Sequence, residues 1–443
     1  MFIFLNKNRN KNRFKLNMNA IKITKRINLI KLAKELLKPS YRVIVKLVRY
    51  FPISSEIVGS PKGFYSYTKN WIVANNLDKS KTQASYIEIY PSHQIERLKP
   101  KTIEQNIHWQ FRLQSNYKFP NTFVAVVPGG RVWGDKGVVI APDDKLLADV
   151  SIELGALNPE QANNHSVFRQ LKLPSLLHLN KTVALLSVGG GRDIYFHWMF
   201  DLLPRIHLLR SSGISLESID NFIINKIHLP FQKETLAILG IPPEKIIESS
   251  DRFHLKAKQL VLPSLPSEPA QIPKWVCEFI RKEFLLEGGE NQVNNWERIY
   301  ISRNKAKHRR VLNEDKVLSF LEKLGFKNLV LESLSVTEQA KIFAEAKVVV
   351  APHGGGLTNI VFCQPGTKVI EIFSPNYLSL SYWQISNHIG LDYYYLLGEG
   401  QAPKLPEDMD YYLQRKDFQA ALQKDILINL NVLEKLMKHA EVI

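Results

Sequence analysis

A chain of 443 residues with 45% hydrophobic and 10% aromatic residues can fill two cores, which excludes a disordered or fibrous protein. Two cysteines, Cys277 and Cys363, are too few for a disulfide framework or a cysteine zinc site, and so sparse a use fits a reducing compartment. The net charge of +17 is lopsided: residues 1–50 hold fourteen Lys/Arg against Glu35 alone, which is +13 and leaves +4 for the other 393. The folded body therefore lacks the basic face that nucleic-acid binding needs, and no nucleic-acid partner is expected.

The leader opens on Met1-Phe-Ile-Phe-Leu5, too short an apolar core for a signal peptide and placed ahead of the charges. No run approaches eighteen apolar residues, so no transmembrane helix is expected. From 27 to 51, Leu29, Leu32, Leu36 and Leu37 recur at helical spacing among lysines. Two readings stay open: a basic amphipathic helix on an anionic membrane surface, or a disordered, solvated tail. The protein is expected in the cytoplasm, and the first reading would place it peripherally on the inner face of the membrane.

Short strand-like runs follow from 64 to 152, with a meander at 122–127, Pro128-Gly129-Gly130, 131–133 and 138–140. A strand at 183–188, the turn Gly189-Gly-Gly191 and a helix at 194–209 open an alternating β/α stretch, continued by strands at 222–224 and 259–262. The Pro- and Ser-rich run 262–269 reads as a linker. Beyond it come helix 274–286, strand 298–302, and helix 314–324 behind an Asn313 N-cap. Strand 328–331, helix 336–346, strand 348–351, a short helix after His353 and strand 368–373 complete it. This is the grammar of a parallel, doubly wound α/β sheet. An amphipathic stretch at 413–439 reads as closing helices. The expected organisation is a leader (1–50), a β-rich N-terminal portion with a first Rossmann-like unit (51–262), a second Rossmann-like domain (270–400) and C-terminal helices (401–443).

Within the second unit, Val348-Val-Val-Ala-Pro-His353-Gly-Gly-Gly-Leu-Thr-Asn359 is followed by Cys363-Gln-Pro-Gly366 and the strand carrying Glu371. Glycines let backbone N–H groups approach an anion, and the helix that starts there aims its positive end at it. Glu371 stands where an acid takes ribose hydroxyls, although alternation with Ile370 and Ile372 also fits a solvated strand face. His-Gly-Gly-Gly also resembles an esterase oxyanion loop, but no Gly-x-Ser-x-Gly elbow occurs in the chain. A dinucleotide fingerprint fails too, because Ile194 stands where the third glycine after Gly189-Gly-Gly191 should be.

The His353 segment resembles the signature of glycosyltransferase family 61, which includes O-GlcNAc and xylosyl/arabinosyl transferases and capsular-polysaccharide proteins. Two further stretches are similar to that family in the same order: Tyr195-Phe-His197-Trp198-Met-Phe-Asp201-Leu-Leu-Pro204-Arg205 and Tyr300-Ile-Ser302-Arg303-Asn-Lys-Ala-Lys307. The hairpin Gly130-Arg-Val-Trp-Gly134 is a looser match, and Gly355 departs from the alanine commoner there. The resemblance implies two Rossmann-like domains facing a cleft in a GT-B-like arrangement. It also implies transfer of a hexosyl or pentosyl group from a nucleotide sugar, UDP-linked, to a glycan or polysaccharide, with inversion. A catalytically inactive glycan-binding scaffold of polysaccharide assembly is the alternative.

Such a transfer needs a base for the acceptor hydroxyl and positive charge for the leaving diphosphate. The only literal Asp-x-Asp, Asp408-Met-Asp410, lies past the last strand and reads as a solvated loop, so neither metal nor other cofactor is expected. Charge falls to helix ends and arginines. The expected donor set is Ser302, Arg303, Lys307, Arg310, His353, Gly354, Gly355, Gly356, Thr358, Asn359 and Glu371. The basic run after Arg303 could equally be an ordinary surface loop. His197 and Asp201, four apart, share a helical face on which the carboxylate can orient the imidazole as base. Tyr195 and Trp198 are the candidate acceptor platforms. A histidine among aromatics is also what a satisfied core histidine looks like.

Overall fold

The computed structural model describes residues 59–76, 85–153, 156–269, 271–285 and 296–443. The leader 1–50, with both of its readings, lies outside the described residues. The chain divides into two compact units, Gly63–His165 with Pro174–Ile443, and Met1–Lys62 with Ser166–Leu173. In the smaller, Ser166–Arg169 form a short 3-10 turn. The larger is mixed α/β and carries every candidate site residue.

Its first sheet has ten strands. In chain order these are β1 (Gly63–Tyr65), β2 (Ser85–Tyr90), β5 (Thr122–Pro128), β6 (Arg131–Trp133), β7 (Val138–Ile140) and β8 (Lys145–Leu147), then β9 (Leu177–Leu185), β10 (Asn221–Ile224), β11 (Ile246–Glu248) and β12 (His254–Pro263). A separate hairpin pairs β3 (His93–Glu96) with β4 (Asn116–Phe119). The expected meander is the run β5 to β7. The long β12 joins the two halves of the sheet, antiparallel to β5 and β6 but parallel to β9. On the other side of β9 come β10 and then β11, both parallel.

The second sheet is wholly parallel: β13 (Arg298–Ile301), β14 (Lys327–Leu329), β15 (Val348–Pro352), β16 (Lys368–Phe373) and β17 (Asp392–Leu397), in the spatial order β14-β13-β15-β16-β17. Its strands are continuous apolar runs because both faces are covered. Val349, Ala351, Val369 and Phe373 face one core, whereas Val348, Val350, Ile370 and Ile372 face another. The first of these cores also takes Ala184 of β9 and Trp198, so a single apolar cluster draws on both sheets.

Three helical expectations change. The stretch read as one helix at 194–209 is α-helical at Tyr195–His197, a π turn at Trp198–Leu202 and α-helical again at Pro204–Ser211. Pro204 has no N–H for the carbonyl of Phe200, and its ring would strike that carbonyl in a regular helix. The turn widens instead, with Leu203 N–H bonded to Trp198 O at 3.0 Å. The closing stretch is three helices, Met409–Gln414, Phe418–Ala421 and Leu430–His439. Between the last two, Ile426 pairs with Arg310 and Leu312 through backbone bonds of 2.8 Å each. Asn313 does not cap its helix, because its amide clamps both polar groups of Ile428, at 2.8 and 3.1 Å.

Candidate functional site

Open α/β sheets bind ligands beyond the carboxyl ends of their strands, where chain progression reverses. In the second sheet that place lies between β13 and β15, whose ends carry Arg303 and His353-Gly354. In the first it lies between β9 and β12, and the segment leaving β9 carries Gly189-Gly-Gly191 and His197. Arg205 fastens this second switch point: wholly buried, it donates to Ser187 O at 2.8 Å and to Pro263 O at 2.6 Å. Burial without a carboxylate brings its guanidinium down to about 9.

His197 Nδ1 lies 2.6 Å from Asp201 Oδ2, the pairing expected from the four-residue spacing. Its side chain keeps 35% of its surface exposed. Burial pulls the imidazole down, but the Asp201 hydrogen bond and charge outweigh it, so the net shift is upward. Gly190, at φ +82°, lies directly against the ring, and a Cβ there would come within 2.5 Å of His197 Cδ2. Only glycine satisfies both the backbone and the ring. The glycine-rich turn after β9 is thus a cradle for this histidine.

At the other switch point, Gly354 is extended, and its need for glycine is contact: a Cβ would stand 1.8 Å from Arg303 Nη1. Gly356 is pressed by Leu331 and Ile301, with a Cβ 2.7 Å from Leu331 Cδ1. Gly355 meets nothing within 4 Å, so the turn has room for a Cβ at that position. The helix that follows, Gly355–Phe362, is 3-10 rather than α. Arg303 donates to Arg309 O at 3.2 Å and His308 O at 2.8 Å. Burial, then the neighbouring Arg309 charge, brings its guanidinium down to about 10.

His353 and Glu371 form a buried pair, with Nδ1 and Oε1 2.5 Å apart, and Tyr393 donates to Oε2 at 2.5 Å. Burial pushes the Glu371 carboxyl well up and the His353 imidazole well down, the latter helped by Arg309 and Arg303. This corrects the ribose assignment: Glu371 is 0% exposed, on the core face of β16 rather than a solvated one, and both oxygens are taken. Its partner is His353, stacked on Phe373 at 5.1 Å between ring centroids.

The two glycine-rich turns meet. Tyr195 Oη donates to Asn359 Oδ1 at 3.0 Å, and Phe196 sits edge-on to Tyr382 at 6.1 Å, which in turn lies 5.4 Å from His353. Asn359 is held by Gln339 at 2.6 Å and Gly356 O at 3.3 Å. These contacts join the segment Tyr195–Phe196, which leads into His197, to Asn359 and, through Tyr382, to His353, with Thr358 buried beside Asn359.

Other expectations shift. Trp198 is no open sugar platform: it is fully buried, with Nε1 donating to Thr235 Oγ1 at 2.8 Å. Tyr195 packs on Phe231 at 4.9 Å with its hydroxyl engaged by Asn359, so its role is to join the turns. Ser302 bonds Glu314 at 3.1 Å, Arg310 turns to Asp425 at 3.4 Å, and Lys307 is exposed. Asp408 caps the helix it precedes, accepting from Tyr411 N at 2.9 Å. Among the described residues no cluster of three or more His, Cys, Asp or Glu could hold a metal ion. Sequence reading passed over Tyr393 and Tyr382 and left Arg309 out of the donor set, within the basic run that also reads as a surface loop. For Arg309 the signal was one more basic residue in a basic loop. For the tyrosines it was aromatic residues in an apolar strand and helix.

Residues 195–370 match the family model described as Glycosyltransferase 61. The chain is 33% identical over 88 residues to the β-1,2-xylosyltransferase RCN11 of Oryza sativa subsp. japonica, covering 17% of this chain and 16% of that protein. It is 32% identical over 91 residues to the xylan glycosyltransferase MUCI21 of Arabidopsis thaliana, covering 19% and 18%. To a β-1,2-xylosyltransferase of Arabidopsis thaliana it is 33% identical over 67 residues, covering 15% and 12%. The chain spans less than a fifth of the length of each of these relatives.

Proposed function

We propose that the protein transfers a sugar from a nucleotide donor, UDP-linked, to a glycan or polysaccharide acceptor, a reading supported by the match of residues 195–370 to the glycosyltransferase 61 family model. The observation that carries this reading is the junction of two switch-point turns by the Tyr195–Asn359 hydrogen bond. The imidazole–carboxylate pair, in this reading, works from one side, and the paired guanidiniums and glycine turn from the other. In this reading the two Rossmann-like halves work in the manner of a GT-B enzyme, with residues 270–400 taking the donor and 51–262 the acceptor.

With Nδ1 on Asp201, His197 keeps a lone pair on Nε2. It takes the proton of an acceptor hydroxyl, whose oxygen bonds to the anomeric carbon as the bond to the diphosphate oxygen breaks. The electron pair leaves on the diphosphate. Single displacement inverts the anomeric centre. Arg303, beside Gly354, meets the negative charge without a metal. The relatives' printed names favour a pentosyl group, xylose, and a glycan such as xylan as the acceptor class.

Thermal shift with UDP, and release of UDP from UDP-xylose and UDP-hexoses, test this reading. The expected results are stabilisation that persists in EDTA, a smaller shift in Arg303→Ala, and turnover with one donor. Glycan binding with no nucleotide effect would leave the inactive scaffold instead, and a UDP shift abolished by EDTA would remove the metal-free part.

A further inference from the structure

Arg309 is one of three residues other than glycine with positive φ among the described residues, at +55°. Such a conformation is sparsely populated and persists where surrounding contacts impose it. Here they do. The backbone turns so that Nε donates to His353 O at 3.2 Å and Nη1 to Leu422 O at 2.5 Å, with the guanidinium 5.9 Å from the Tyr377 ring centroid. The side chain is thereby carried to the end of β15. Arg303 comes to the same place from β13, its Nη1 against Gly354 and its Nε on the carbonyl of Arg309 itself. Two guanidiniums thus converge on residues 353 and 354, and both are half-buried. Their hydrogen bonds go to backbone carbonyls, not to a carboxylate. The buried carboxylate of Glu371 is closed off by His353 and Tyr393, and the half-buried Glu314 accepts from Tyr300 Oη, Ser302 Oγ and the backbone N–H of Arg303 rather than from a guanidinium. Like charges held this close, with neither guanidinium hydrogen-bonded to a carboxylate, form an anion site in waiting. The adjacent Arg310, by contrast, is turned away and neutralised by Asp425.

We infer that Arg309 is a second ligand of the donor diphosphate, closing with Arg303 as a two-guanidinium clamp over Gly354. This rests on the nucleotide-sugar reading above and adds to it a residue that the donor set expected from sequence omits. A diphosphate carries enough charge for both forks, whereas a single phosphate or a sugar hydroxyl does not call for two.

The test is calorimetric titration of the full chain with UDP and with inorganic pyrophosphate. Arg309→Gly keeps the left-handed backbone and Arg309→Gln keeps a polar side chain, so at least one should fold. Lys316→Ala, an exposed charge on the helix Glu314–Glu322, controls for general electrostatics. The Arg309 variants are expected to weaken both UDP and pyrophosphate at least tenfold, with the lysine variant within twofold of wild type. Arg309 variants that bind UDP within twofold of wild type overturn the clamp and leave the donor reading standing. Pyrophosphate binding that depends on Arg309, with UDP binding no tighter than pyrophosphate, keeps the clamp and removes the donor reading. If the wild type binds neither, both fall.

Discussion

His197 and His353 are each held through Nδ1 by a carboxylate, and their surroundings set them to different tasks. His197 is partly open to solvent and raised by Asp201; His353 is buried and lowered. A base must be neutral to accept a proton, so under the proposed function a raised His197 is expected to make activity fall as pH drops through a value above the ordinary 6.5. His197→Ala should lose about 10²–10⁴ in turnover with UDP affinity nearly unchanged. Asp201→Asn removes the charge that holds the imidazole up, so its acid limb should move to lower pH and its rate should lie between the two. The readout is kcat/KM against pH. Turnover of His197→Ala within a few-fold of wild type would move the base elsewhere, with His353 next in line. The His197–Asp201 pair was legible because four-residue spacing fixes a shared helical face. Trp198 was not, since spacing does not say which face meets the core. Nor was Glu371, whose alternation with isoleucines fits a buried face as well as a wet one.

At the scale of elements, the strand ends matter more than the strands. β15 and β16 run parallel with Ala351 opposite Glu371, and the His353–Glu371 pair ties the turn after one strand to the middle of the next. Its two shifts have opposite signs. His353, lowered, contributes stability that is full above about 6.5 and lost as pH falls below it. Glu371, raised, contributes stability that is full below about 4.5 and lost as pH rises above it. Between those values the slopes cancel, so the pair gives a plateau from about pH 4.5 to 6.5 with a decline on either side. Urea denaturation across pH should show this difference between wild type and the double variant His353→Gln, Glu371→Gln. A flat difference from pH 3 to 9 would mean that the pair does not hold its proton as buried groups do. β13, β15 and β16 were readable within a residue, because β-branched apolar runs bounded by Gly and Pro have few alternatives, whereas β9 and β12 start well before the runs read for them and β17 was not read as a strand. Helix type was not. The π turn before Pro204 and the 3-10 turn after Gly354 depend on single contacts that periodicity averages away.

For the whole molecule, two β/α runs could be read along the chain, but not that their turns meet. The Tyr195–Asn359 bond joins residues 164 positions apart, which is a tertiary fact with no local signature. Charge is the one global property that the sequence states outright. The first fifty residues carry +13 of the +17, and no helix among the described residues is long and apolar enough to cross a membrane. The body is nearly neutral and the basic charge is concentrated in residues 1–50. Each basic residue near an anionic bilayer contributes about 1 kcal/mol, so a cluster of this size can hold the protein at a surface without insertion. Removing residues 1–50 should therefore leave UDP binding intact while sharply reducing co-sedimentation with vesicles rich in phosphatidylserine. Raising the salt from about 0.1 M to 1 M shortens the screening length from about 10 Å to 3 Å and should mimic the deletion in the full chain. Equal sedimentation with and without the leader would exclude it as an anchor. Sedimentation that survives 1 M salt but needs the leader would assign the binding to its leucines rather than its lysines.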